Sequence, residues 1–245
     1  MMILIHLVVS YGDCQVFIHA HNDYEKPDPL FTALKNKVYS VEADVFLRNG
    51  KLFVAHSADK IDSNRTIQSL YLNPIESLFK KNHGFISEDS SYVVTLMIDV
   101  KDSGKSAIEE LAKIIEPIKK EFNRNLNSHA VKIVISGERG KAEDWNNYPD
   151  YIYFDGRPYE TYSSGILNRI AFVSDNYWNY VSFSDQDNWT RLNEVIQKVH
   201  SMGKLIRLWA TPDTDIGWAK LHDAKVDIIN TDKPHDCAEF FRKSQ

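Results

Sequence analysis

Cysteine is scarce in this chain of 245 residues: Cys14 and Cys237 stand near opposite ends, with no CxxC pair and no zinc-type spacing. They read as two unrelated thiols, and no cysteine-built metal site or disulfide framework follows. Positive charge is also scarce. Twenty-nine Lys and Arg face 34 Asp and Glu, a net charge of -5 without a basic block, which argues against a nucleic-acid surface. No apolar run approaches the roughly 20 residues needed to cross a bilayer. No Pro/Gly/Ser-rich linker, repeat or low-complexity tract divides the chain, so it reads as one domain. The GxSxG elbow, the phosphate-binding P-loop and the GxGxxG fingerprint are all missing.

What is present begins with an apolar N-terminus. Met1 to Val9 is broken only by His6, and Ser10-Tyr11-Gly12 offers small residues where a signal peptidase would cut. The stretch lacks a basic start and is shorter than the usual ~15–30 residues. Residues 1–12 are therefore expected to be a truncated export signal or a tail, with a secreted or periplasmic location favoured over a cytoplasmic one. The main domain is expected over 13–245.

Beyond it, short β-branched runs alternate with helical stretches, the pattern of a parallel sheet with crossover helices. Eight strands are predicted: Val16–Ala20, Ser40–Phe46, Tyr92–Val100, Val131–Ser136, Tyr151–Phe154, Ile170–Ser174, Leu205–Trp209 and Asp227–Asn230. Leu52–Ala55 reads as an extra strand returning through a turn at Asn49-Gly50. Helices are predicted over Ala107–Phe122, interrupted at Pro117, and over Asn188–Met202, with shorter ones near Pro29–Lys35, Ile75–Lys81, Gly217–His222 and His235–Lys243. An α/β barrel takes about 250 residues. The expected fold is a single (β/α)8 TIM barrel, with an open doubly wound sheet as the alternative.

In such a barrel the chemistry sits at the C-terminal strand ends. The first strand runs into His19-Ala20-His21-Asn22-Asp23-Tyr24, and the second carries Glu42-Ala43-Asp44, two carboxylates two residues apart and therefore on one face. Val41, Ala43 and Val45 form the face that packs on helices, which turns Glu42 and Asp44 into the barrel. Buried like charges repel unless a cation joins them. Asp99, on the next strand, supplies a third carboxylate, and hard oxygen ligands suit one divalent cation, Mg²⁺ or Ca²⁺. The bland alternative makes Glu42 and Asp44 exposed residues of an edge strand. His21 and His56 flank the cluster and suit general acid/base work. Alternatively they are satisfied core histidines. His83, His129, His200 and His222 fall at helix ends or loops and receive no role. Lys101 stands where a phosphate oxygen would bind, or else pairs with Asp44 or Glu138. Trp209, with Tyr24, Tyr177 and Trp178, is read either as an apolar wall for a leaving group or as core capping.

Taken in order, His21-Asn22-Asp23-Tyr24, Ser40-Val41-Glu42-Ala43-Asp44-Val45, Val54-Ala55-His56, Ile98-Asp99-Val100-Lys101, Leu208-Trp209-Ala210-Thr211 and Asn230-Thr231-Asp232-Lys233-Pro234 resemble the glycerophosphodiester phosphodiesterase and phosphatidylinositol-specific phospholipase C superfamily. The resemblance is closest to its altered-inheritance-of-mitochondria branch. It implies a phosphoric diester hydrolase acting on a small phosphodiester or a lipid headgroup. Glu42, Asp44 and Asp99 would hold the cation, His21 and His56 would move protons, and Asn22, Lys101 and Trp209 would contact substrate. Two positions depart from the pattern: Asn22 replaces the arginine that usually follows the first histidine, and Asp99 stands where glutamate is common. Two other readings remain. His19-Ala20-His21 is an HxH pair of the amidohydrolase type, although no histidine ends the fifth or sixth strand, and a barrel of this shape can also serve as a non-catalytic binding module.

Overall fold

Alternating small and β-branched residues place one face of each strand against helices and the other inside a ring. The computed structural model describes residues 16–181 and 189–243. Residues 1–12, with the expected signal or tail, and Cys14 lie outside the described residues. The strands are β1 (Phe17–Ala20), β2 (Ser40–Arg48), β3 (Lys51–Val54), β4 (Thr95–Val100), β5 (Lys132–Gly137), β6 (Ile152–Gly156), β7 (Ile170–Asn176), β8 (Ile206–Trp209) and β9 (Ile228–Thr231). They hydrogen-bond in the order β1-β9-β8-β7-β6-β5-β4-β2-β3, and β1 also pairs with β2. That last pairing closes eight parallel strands into a TIM barrel and removes the open-sheet alternative. β3 lies outside the ring as an antiparallel partner of β2.

The β2–β3 hairpin turns at Asn49 and Gly50, with φ of 51° and 71°. Two positive φ angles in succession fit the right-handed twist of the strands, and Asn-Gly tolerates them best. The hairpin has a functional consequence. β2 overruns the barrel mouth and β3 comes back, so that Ala55 N–H reaches Asp44 O at 3.3 Å and His56 returns to the strand end that carries Asp44.

The main helices are α1 (Phe31–Lys35), α2 (Asn73–Lys81), α3 (Gly104–Ile115), α4 (Ser164–Leu167), α5 (Thr190–Ser201), α6 (Asp215–Asp223) and α7 (Pro234–Lys243). The helix expected over Ala107–Phe122 ends at Ile115 and continues as 3-10 turns over Glu116–Glu121. Pro117 lacks the N–H that an unbroken α-helix needs, which accounts for the change. Ala107, Ile108, Leu111 and Ile115 bury one side of α3. Hydrophobic periodicity missed the turn of π-helix at Gln68–Leu72 and the 3-10 turns at Ala142–Asn147, because segments this short hold no more than two turns of pattern.

Two apolar layers result. Val41, Ala43 and Val45 belong to the large core between barrel and helices. Met97, Val134, Phe172 and Ile228 form a smaller cluster inside the ring. Register sets Glu42 level with Met97, and Asp44 level with Asp99. The inner cluster is thus the floor beneath the carboxylates. Cys237 is a buried free thiol, and among the described residues no helix is long and apolar enough to cross a membrane.

Phe172 is fully buried in that floor. Phe172→Ala is expected to lower unfolding stability by about 3–5 kcal/mol through the cavity it leaves. Urea denaturation should show it as a lower midpoint with an unchanged slope, and a loss below about 1 kcal/mol would mean that the floor is not packed as described.

Candidate active site

The parallel strands carry their polar residues to one end, where a cavity of ≈ 330 Å³ opens between them. Its lining includes His21, Asn22, Glu42, Asp44, His56, Asp99, Lys101 and Trp209, all eight residues that the sequence assigned to the site. Glu42, Asp44 and Asp99 each present one oxygen, and these lie within 4.8 Å of one another. No other group of three or more His, Cys, Asp or Glu residues with metal-site spacing occurs among the described residues.

The two carboxylates of β2 are treated differently by their surroundings. Glu42 Oε2 lies 2.6 Å from His19 Nε2 and 3.2 Å from Arg207 Nη1. Burial alone would raise its pKa, but the His19 hydrogen bond and the Arg207 charge outweigh burial and hold the carboxyl ionised, below the usual carboxylate range. His19 itself is fully buried. Desolvation first, and Arg207 second, lower its pKa to about 4, so the ring is neutral and its Nε2–H points to Glu42.

Asp44 has weaker compensation. Its Oδ2 accepts from Tyr24 Oη at 2.8 Å and Lys101 Nζ at 2.9 Å. Its Oδ1 is buried without a partner. Burial, then the neighbouring Glu42 charge, push Asp44 up to about 7 despite Lys101. Lys101 also donates to Asp99, so its ammonium sits on two of the three carboxylates. A cluster of three carboxylates, one with an orphaned buried oxygen, is chemically suited to a hard divalent cation.

Asp99 is seated by Gly137. At φ 67°, this glycine lets the end of β5 pass so close that a Cβ there would lie 2.2 Å from Asp99 Oδ1 and 2.3 Å from Val100 O. Any other residue would displace the carboxylate or bend the backbone.

The histidines approach from two sides. His21 N–H bonds to Thr231 O on β9, and its Nδ1–H donates to Asp232 Oδ1 at 2.8 Å. That leaves Nε2 free, 3.9 Å from Glu42 Oε1. Burial opposes charge on His21, but Asp232 and Glu42 together raise its pKa. His56 is exposed, with Nδ1 3.3 Å from Tyr24 Oη and 3.9 Å from Asp44 Oδ2. Between them, Asn22 takes a left-handed turn at φ 47°, a conformation asparagine tolerates. Asp23 fixes this turn by accepting from Leu30 N–H and the Tyr71 hydroxyl at 2.6 and 2.9 Å.

Several groups escaped the sequence reading. Tyr24, taken there for part of an aromatic wall, is a buried hydroxyl hub whose oxygen also lies 3.0 Å from Asn22 Oδ1. Asp232 backs His21. Arg207 links Glu42, His19, Ser174 and Asn230. Inward strand parity at Arg207 and Asp155 was the available signal. Trp209 lines the cavity rim, but Tyr177 and Trp178 do not join it. They line a separate groove with Val181, Pro212 and Ile216, because the 3-10 turn Tyr177–Asn179 carries them away from the mouth. Nor do His19 and His21 converge as an HxH pair: His19 lies below the cavity on Glu42, and His21 turns to Asp232.

The barrel is similar in fold to solved structures. It superimposes on a glycerophosphodiester phosphodiesterase from Parabacteroides distasonis with a TM-score of 0.58 at 17% identity, covering 96% of this chain and 100% of that one. A second such structure, from Agrobacterium tumefaciens, gives 0.54 at 12% identity, over 92% and 100% of the two chains. The sequence model described as the AIM6-like phosphodiesterase domain matches residues 11–139, just over half the length, and the chain belongs to that family. It is 27% identical to an altered inheritance of mitochondria protein 6 homolog from Arthroderma benhamiae, over 95% of this chain and 86% of the relative. The protein of that name from Lachancea thermotolerans is 38% identical, over 88% of this chain and 63% of its own length.

A divalent cation held by the three carboxylates would compete with a proton for Asp44. Its folded pKa of about 7 lies above the unfolded value of about 3.9, so the stability it contributes is present below about pH 4 and lost as pH rises through 7. Above pH 7 a bound cation would restore it. Mg²⁺ or Ca²⁺ at a hundredfold excess over the Kd at pH 8 should raise Tm by about 5–10 °C at pH 8 and about half as much at pH 6. Asp44→Asn should abolish the gain at both. Scanning fluorimetry tests this, and an equal gain at the two pH values would rule out Asp44 as the competing group.

Proposed function

We propose that the chain, over residues 13–245, is a metal-dependent phosphoric diester hydrolase acting on a glycerophosphodiester or a phospholipid-type headgroup. One observation carries the reading: two histidines with different partners reach the same three-carboxylate cluster from two sides of one cavity. Glu42, Asp44 and Asp99 would hold one divalent cation. An all-oxygen set favours Mg²⁺ or Ca²⁺ over softer metals. Such a cation supplies Lewis-acid polarisation of a phosphoryl oxygen.

The chain's own residues do the rest. His56 has a neutral hydroxyl behind its Nδ1 and acts as the base, taking the proton of the attacking hydroxyl, whether of water or of the substrate. His21 has a carboxylate behind its Nδ1, which favours the protonated ring. It acts as the acid and gives its Nε2 proton to the leaving alkoxide. Tyr24 accepts from His56 while donating to Asp44, which keeps the ring's other nitrogen toward the cavity. Lys101 contacts the phosphoryl group once the carboxylates are otherwise neutralised, Asn22 lines the entrance beside His21, and Trp209 offers its half-exposed ring to the organic part of the substrate.

His21→Ala and His56→Ala should each lower kcat by about 10²–10⁴-fold, the usual share of a positioned acid or base. The cation-dependent gain in Tm should survive in both. The wild-type rate should fall at high pH as His21, whose pKa is raised, gives its proton up. Asp232→Asn should move only the alkaline limb, to lower pH. Loss of cation binding in His21→Ala would instead make His21 a ligand and reject the assignment.

A further inference from the structure

Among the described residues, one lysine and two arginines line the cavity: Lys101, Arg207 and Arg157. Two are committed. Lys101 is held by Asp44 and Asp99. Arg207 Nη1 donates to Asn230 and Glu42 at 2.9 and 3.2 Å and lies 2.8 Å from His19 Nε2, and its Nε donates to Ser174 at 3.0 Å.

Arg157 is different. It follows β6, and its Nη1 donates to Asp155 Oδ2 at 2.8 Å and Gly156 O at 2.9 Å. Nη2 has only a 3.4 Å bond to Ser136 Oγ, and Nε has no bond among the described residues. The guanidinium is therefore anchored at one nitrogen, while the Nε/Nη2 edge keeps its donors. That edge is a planar pair of N–H groups matched to oxygens of a carboxylate or phosphate. Asp155, fully buried, already has Ser136 at 2.9 Å and Arg207 Nη2 at 3.8 Å. Arg207 is shared with Glu42, so Asp155 balances the charge of Arg157, and what this wall offers is the unspent donors of the Nε/Nη2 edge. In the ring β6 stands four strands from β1 in either direction, which puts Arg157 across the cavity from His21.

We propose that Arg157 is a substrate-binding residue whose Nε/Nη2 edge takes an anionic phosphoryl oxygen, with Asp155 as the positioning residue behind it. This rests on the phosphodiesterase reading of the cavity. It adds the prediction that the phosphoryl group is gripped from the β6 wall, opposite the acid His21, and that the site selects for an anionic centre rather than for the leaving group alone.

The test titrates the full chain with inorganic phosphate in Mg²⁺ buffer by calorimetry and measures turnover of bis(4-nitrophenyl) phosphate. Arg157→Gln should weaken phosphate binding and raise KM by about ten- to a hundredfold, the range for a hydrogen bond to a charged group. Arg157→Lys, which keeps the charge but not the planar edge, should fall between. If Arg157→Gln unfolds by stranding Asp155, the Asp155→Asn/Arg157→Gln double variant removes both charges and gives the same readout. Phosphate binding within about twofold of wild type in the Gln variants, or no binding by the wild type, overturns the proposal. Arg157-dependent phosphate binding without turnover of any phosphodiester leaves the binding role standing and removes hydrolysis instead.

Discussion

Two carboxylates on one strand, both turned into a closed ring, set the terms for everything around them. Glu42 and Asp44 are 4% and 1% exposed, and neither is ionised there without help. The lower one is neutralised by the fold itself. Arg207 and His19 come from strands on either side of β9, and together they hold Glu42 ionised, below the usual carboxylate range. The upper one is left with a lysine, a tyrosine hydroxyl and an oxygen that nothing touches. The difference between the two is a difference of depth. A charge at the level of Met97 and Val134 must be satisfied by protein, whereas one at the mouth can be satisfied by something that arrives.

The histidines repeat this division. Each ring nitrogen that faces away from the cavity is engaged, by a carboxylate in His21 and by a hydroxyl in His56. The partners come from opposite ends of the sequence, Asp232 just beyond β9 and Tyr24 just beyond β1. Closure of the barrel through β1 is what brings them together. The four residues His21 to Tyr24 then act as one device: a ring into the cavity, a left-handed turn, a buried carboxylate that anchors the turn, and a hydroxyl that reaches Asp44.

Much of this was legible along the chain. Period-two alternation over Ser40–Val45 fixed which face of β2 carries the carboxylates, and the Asn49-Gly50 turn placed His56 back at the same mouth. Both signals are local, set by backbone pleat and turn chemistry. What stayed hidden depends on register between distant strands. Arg207 and Glu42 are 165 residues apart, and no pattern around either names the other. Tyr24 looked like an aromatic at a strand end because a hydroxyl's partners cannot be read from its neighbours in sequence. Tyr177 and Trp178 occupy equivalent strand-end positions, yet a single 3-10 turn sends them to another groove.

Asp155 extends the same logic to the far wall. It is as buried as Glu42 and lies level with Ser136 and Asp99 through the β4–β5–β6 region, where a register shift between Phe154 and Asp155 disturbs the ladder to β7. Its carboxyl is held below the usual range although burial works against it, because Arg157 and Arg207 lie on either side. Glu42 thus shares Arg207 with Asp155, and Arg207 ties the two halves of the ring into one electrostatic unit. Negative charge gathers at the β2–β4 side in Glu42, Asp44 and Asp99, and the β6 side presents arginine N–H donors whose charge Asp155 balances. On the proposed reading, a phosphodiester on a cation at the carboxylates would meet arginine donors on the far wall, and a cavity built in this way would fix its orientation before any proton moves.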